Sequence, residues 1–236
     1  MIDETIWLAT NDPLVLLDFL FPMRGLDSAE PQSQASRYYL FGCARLAWNR
    51  LPGVSRAIVE VGERALVGPH RDPALADKVY PLAEALVHCR GNVAEVNAIG
   101  HELITLGLAT DQPVMIEKDI LPELWTGFAY LTYLPFVRTT PHFRRIPAYL
   151  HSVSLVREVF GNPFKQYPLF DARWRTDNVL QLANHVEATG DFKVLPILAD
   201  ALEDAGCTRA DVLQHLRSGE PHARGCWALR LVRSDR

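Results

Sequence analysis

Apolar residues recur at every third or fourth position through most of the chain, the period of a helix with one buried face. In "NDPLVLLDFLF", Asn11 or Asp12 stands where a cap belongs and Pro13 falls in the first turn, where a missing N–H costs nothing. In "YYLFGCARLAWNRL", Leu40, Cys43, Ala44, Ala47, Trp48 and Leu51 form one continuous stripe. Val54, Ala57, Ile58, Val61 and Ala65 repeat the pattern after Pro52 and Gly53. Leu75, Val79, Leu82 and Leu86 make a further stripe, in which Pro81 predicts a kink or a late start. Val96, Ile99, Leu103 and Leu106 make another that ends near Gly107.

The middle breaks this rhythm. From Pro113 to Pro147 the chain carries five prolines and an aromatic segment, "LWTGFAYLTYLPF", which reads as one buried helix over roughly 120–133. The irregular stretch after it is the natural boundary between an N-terminal helical region, 1–150, and a C-terminal helical module, 151–236, which could share one core. A helix is expected from about 147 to 159, stopped by Gly161, Asn162 and Pro163. Thr176 caps the next, with Val179, Leu182, Ala183 and Val186 inward and Gly190 closing it. "LPILADALEDAG" follows, with Leu195, Leu198 and Leu202 inward and Gly206 at its end. Thr208 and Asp211 then read as a variant capping box for "RADVLQHLR". The tail "CWALRLV" is too short to separate a last helix from a short strand or hairpin. The fold class expected is all-α, a multi-helix globular bundle.

Composition supports a folded globular chain: 48% of residues are hydrophobic and 22% charged. The net charge of −4 supplies no field to steer the chain towards nucleic acid or an anionic membrane. No apolar run approaches the ~18 residues of a membrane span. The acidic start "MIDETIW" lacks the basic opening of a secretory signal, and four cysteines are too sparse for a disulfide scaffold. A reducing cytoplasm is the expected compartment.

The one dense cluster of chemically capable residues is Cys207, His215, His222 and Cys226, spaced C-x7-H-x6-H-x3-C. A zinc ion needs its donors within about 4 Å of one another. Eight residues of helix carry Cys207 and His215 about 12 Å apart, so a four-ligand site with Cys207 is strained. His215, His222 and Cys226 can converge, because Ser218, Gly219 and Pro221 let the chain turn back. The spacing matches none of the usual zinc patterns. The plainer reading, buried thiols and hydrogen-bonded histidines with no bound cofactor, is therefore preferred.

Other chemistry is thinner. Cys43 lies on an apolar stripe and reads as a core thiol; His88 beside Cys89 makes a dyad only if ring and sulfur meet in space. There is no G-x-S-x-G, H-E-x-x-H, P-loop or dinucleotide fingerprint. Arg144 and Arg145, with Arg173 and Arg175 in the aromatic-rich "FGNPFKQYPLFDARWR", are the residues through which the chain would meet nucleic acid. The alternative is that these aromatics anchor an irregular connection to the core.

"REVFGNPF", "LPILADALEDAGC" and "GEPHARGCW", over roughly 155–232, resemble a C-terminal module of uncharacterised bacterial proteins, and "WLATNDPLVLLDFL" with "YYLFGCARLAW" resembles their beginning. That resemblance implies a bacterial, intracellular origin and brings with it no known activity. The function expected is an intracellular helical adaptor with a protein partner. An enzyme whose site leaves no local motif and a zinc-stabilised nucleic-acid-binding module are the alternatives.

Overall fold

The computed structural model describes residues 2–23, 34–66, 72–108, 129, 152–165, 170–219 and 221–233. The described residues form eleven α-helices and three short 3-10 turns and no strand, so the fold is all-α. In chain order the helices are α1 (Glu4–Ala9), α2 (Pro13–Met23), α3 (Gln34–Leu46), α4 (Gly53–Leu66), α5 (Pro73–His88), α6 (Val93–Thr105), α7 (Val153–Phe160), α8 (Asp177–Thr189), α9 (Leu195–Asp204), α10 (Ala210–Leu216) and α11 (Trp227–Arg233). Of the aromatic helix expected over 120–133 only Ala129, helical and buried, is described, and Arg144 and Arg145 lie outside the described residues.

The chain divides into two compact units, one of residues 17–152 and one that joins residues 1–16 to 153–236. In the first unit, α4, α5 and α6 pack their stripes together around Ile58, Val61, Val79, Leu86, Val96 and Leu103. Asp72 caps α5 by accepting from the Ala74 and Leu75 amides, and Pro73 occupies the first turn. Pro81 neither delays nor ends this helix. It sits on the exposed face, where water can reach the carbonyl that its missing N–H cannot serve. Cys43 is fully buried on α3, and burial pushes its thiol up to about 12. That is the behaviour of a core residue.

The second unit is built on α8–α11, whose core comprises Val179, Val186, Leu195, Leu198, Leu202, Val212, Leu216, Leu229 and Val232. Thr176 caps α8 through the Val179 amide, and Gly190 ends it in the left-handed region at φ 71°. The capping box expected at α10 is absent. Asp211 turns instead to Arg209, at 2.6 Å, and the residue before α10 makes no side-chain cap. The tail is resolved in favour of helix: α11 buries Ala228, Leu229 and Val232 against its neighbours. A strand there would have left its backbone groups without a partner ladder. Among the described residues no helix is long and apolar enough to cross a membrane.

Candidate metal centre

Four side chains of the second unit meet inside the fold: Glu158, His215, His222 and Cys226 each offer a donor atom, all within 4.8 Å of one another. They arrive from three places. Glu158 stands on α7, an eight-residue helix that buries Leu155, Val156, Val159 and Phe160. Leu155 and Glu158 are three residues apart, so the carboxylate shares the inward face with the apolar stripe. His215 lies in the last turn of α10, which aims its ring at the connection returning from 217 to 226. That connection carries His222 and brings Cys226 to the start of α11, where the Cys226 carbonyl accepts the first helical bond, from Arg230.

The polar contacts are close. His222 Nδ1 lies 3.0 Å from Glu158 Oε1, and His215 Nε2 lies 3.2 Å from Glu158 Oε2. The same His215 Nε2 is 3.1 Å from Cys226 Sγ. One ring nitrogen therefore points between a carboxylate and a sulfur. The side chains of Glu158 and His222 are each 6% exposed and that of His215 is 20% exposed, while Cys226 is fully buried. His215 packs against the Trp227 ring at 5.0 Å, and Phe192 lies beside His222. These rings shield the group from water.

Burial alone would raise the Glu158 carboxyl, but the hydrogen bonds and charges of His215 and His222 reverse this and hold it down at about 2. Glu158 is a carboxylate, and its Oε1 also faces the Ala223 amide. The Cys226 thiol moves the other way. Burial raises it first and the adjacent Glu158 charge raises it further, against the opposing backbone amides of Leu229 and Ala228. Without a cation beside it, Cys226 holds its proton.

The donor set suits a divalent cation of the zinc class. Imidazole, thiolate and carboxylate are its ordinary ligands, and bonds of about 2.0 to 2.3 Å put tetrahedral neighbours about 3.3 to 3.8 Å apart. The three contacts of 3.0, 3.1 and 3.2 Å are a little tighter than that. A cation would open these three contacts by about half an ångström and draw in the wider pairs, which reach up to 4.8 Å. It would also supply the positive charge that a buried carboxylate and thiolate need. His222 has an outer partner in place: its Nε2 is 3.4 Å from Ser218 Oγ.

The structure brings together His215, His222 and Cys226, three of the four residues singled out in the sequence, and leaves Cys207 out. Cys207 is 4% exposed in the core of the unit, with its amide bonded to the Leu202 carbonyl. Glu158 completes the group and was missed, because it precedes His222 by 64 residues and belongs to no local motif. The signal was an acid on the apolar face of a short helix.

The other sequence candidates among the described residues are engaged elsewhere. Arg173 is paired with Asp171 at 2.6 Å on the surface. Arg175 donates to the Val232, Leu231 and Phe170 carbonyls, closing the end of α11, and so is turned into the unit. Phe160 and Phe170 are core residues, and Trp174 packs edge-on to Phe170 at 5.2 Å. Aromatics occupied in this way are not a stacking platform for bases. His88 and Cys89 each bond to a carbonyl of their own helix, those of Glu84 and Leu86.

No family model matches the chain, and no curated protein or solved structure matches it either.

Proposed function

We propose that the second unit is a metal-binding module that holds one divalent ion of the zinc class on Glu158, His215, His222 and Cys226, and that this ion completes its fold. The observation that carries the reading is the convergence of these four donors within 4.8 Å. Their burial favours a structural ion over a catalytic one. A catalytic zinc keeps a position open for water or substrate, whereas here four protein donors and the Trp227 and Phe192 rings surround the point of convergence. A nucleophilic role for Cys226 fits less well, because its sulfur is fully buried and its thiol is raised. The wider role we propose for the chain is recognition of a protein partner by a helical scaffold stabilised in this way.

Metal analysis of protein purified without chelators is the first test, with close to one zinc per chain expected. Substitution by cobalt provides the second: a near-ultraviolet thiolate-to-cobalt band that disappears in Cys226→Ser is expected. Protein with well under one equivalent of metal after zinc reconstitution, and with no such band, would overturn the reading. Capture of a stoichiometric protein from native lysate tests the recognition role, and a chain recovered alone and monomeric would count against it.

A further inference from the structure

We infer that metal occupancy at Glu158 and docking of the α1 segment on α7 are coupled, so that the ion fixes the segment and the segment tightens the ion. This rests on the metal reading above. Two adjacent residues of α7 carry it. Glu158 faces the metal group, while Arg157, turned about 100° around the helix, faces α1. Its guanidinium donates to the Trp7 carbonyl through Nε at 3.1 Å and Nη2 at 2.6 Å, and to the Thr10 carbonyl at 2.9 Å. These are carbonyls at the end of α1, where a cation both satisfies unbonded acceptors and opposes the helix dipole.

Among the described residues, the turn after α7 also holds α1. Trp7 is 1% exposed and meets Phe164 edge-on at 6.5 Å. Asn162 donates to the Glu4 carboxylate at 2.8 Å. The six-residue α1 is far too short to persist alone, so its helicity depends on this seat. The seat is itself short. An eight-residue helix is marginal in water, and α7 is held by its apolar face, by Glu158 and by Arg230 donating to the Val159 carbonyl.

Without a cation, Glu158 is held by hydrogen bonds to two histidines, which can be exchanged for water. A bound ion ties the same carboxylate to α10 and to the start of α11 by coordination. The position of Arg157 follows that of its neighbour through one peptide unit, so a tether on Glu158 restrains the donor that α1 requires. The linkage is reciprocal by thermodynamic necessity: whatever factor zinc adds to docking, docking adds to zinc affinity.

Hydrogen exchange of the full chain, followed in peptides over 3–12 and 212–230 with zinc and after chelation, gives the first measurement. Amides of 3–12 should exchange at least about fivefold faster without zinc, at the lower end of ordinary coupling. Faster exchange confined to 212–230 would overturn the coupling and leave the metal site standing. A chain that binds no zinc at all would overturn both. Chelation that unfolds the whole unit would expose both peptides trivially, so zinc affinity in two variants decides the matter. Arg157→Ala removes the clamp, and Trp7→Ala undocks α1 from the segment side without altering a residue of α7. Each should weaken zinc binding at least about fivefold while far-UV circular dichroism stays that of the folded chain. Zinc affinity within twofold of the parent in both variants would overturn the inference.

Discussion

Glu158 Oε1 and His222 Nδ1 lie 3.0 Å apart across 64 residues of chain, inside a unit whose other core residues are almost all apolar. An ionised carboxylate in that place is costly unless it is paired and hydrogen-bonded, and here both oxygens are engaged. Glu158→Leu in metal-free protein should therefore test a balance. It removes a buried charge but takes an acceptor from two largely buried rings, and a net loss of about 1 to 3 kcal/mol is expected. Urea unfolding in the presence of a chelator measures it. A variant as stable as the parent would mean that the histidines find other partners.

Replacement of a ligand should exceed the tenfold to hundredfold losses typical of outer-shell partners. Cys226→Ser is expected to weaken zinc binding by at least about 100-fold. Ser218→Ala, which touches only the far nitrogen of His222, should cost about tenfold at most. Competition with a chromophoric chelator reads both. Equal effects of the two changes would place Cys226 outside the coordination sphere.

Leu198 is fully buried at the centre of the α8–α11 core. Leu198→Ala should cost about 2 to 5 kcal/mol from lost transfer energy and the cavity left behind. Chemical denaturation gives the value, and a cost below about half a kcal/mol would contradict the packing of α9.

Arg175 holds two carbonyls near the end of α11 and the Phe170 carbonyl, and its guanidinium lies 4.8 Å from the Phe170 ring. Arg175→Ala should destabilise the unit by about 1 to 3 kcal/mol, because it strands acceptors that are partly buried. A thermal shift assay detects this. An unchanged melting temperature would show that water replaces the guanidinium without loss.

Asp211 carries a modest acid dependence. The hydrogen bonds from Arg209 hold its carboxyl below the usual value, against the opposing effect of burial. Because the folded value is depressed, the stabilisation is fully present above the ordinary aspartate range near 4 and is lost as pH falls through the folded value below it. Asp211→Asn should remove this part of the acid sensitivity, about 0.2 to 1 kcal/mol for a pair near the surface. Unfolding free energies of parent and variant should differ at pH 6 and converge towards pH 2. A constant difference across that range would assign the effect to something other than charge.

The sequence by itself determined most of the described helices and their inward faces, though not the short α1, because both follow from local rules. A 3.6-residue period places Val179, Ala183 and Val186 on one side of α8, and Thr176 and Gly190 bound it through hydrogen bonds and a left-handed turn made within a few residues. The separation of Cys207 from His215 was expected from eight residues of helix, whereas α10 begins only at Ala210; Cys207 is left out because it is buried in the apolar core of the unit. Three decisions belonged to the tertiary structure. Asp211 could cap its own helix or pair with Arg209, and two residue types compatible with both left the choice to where the guanidinium lies. The tail could be helix or strand, and packing of Leu229 and Val232 against α8 made it α11. Glu158 joined the histidines only because α7 packs against α11. A carboxylate on an apolar face announces that a buried partner exists, but periodicity carries no information about which distant residue supplies it.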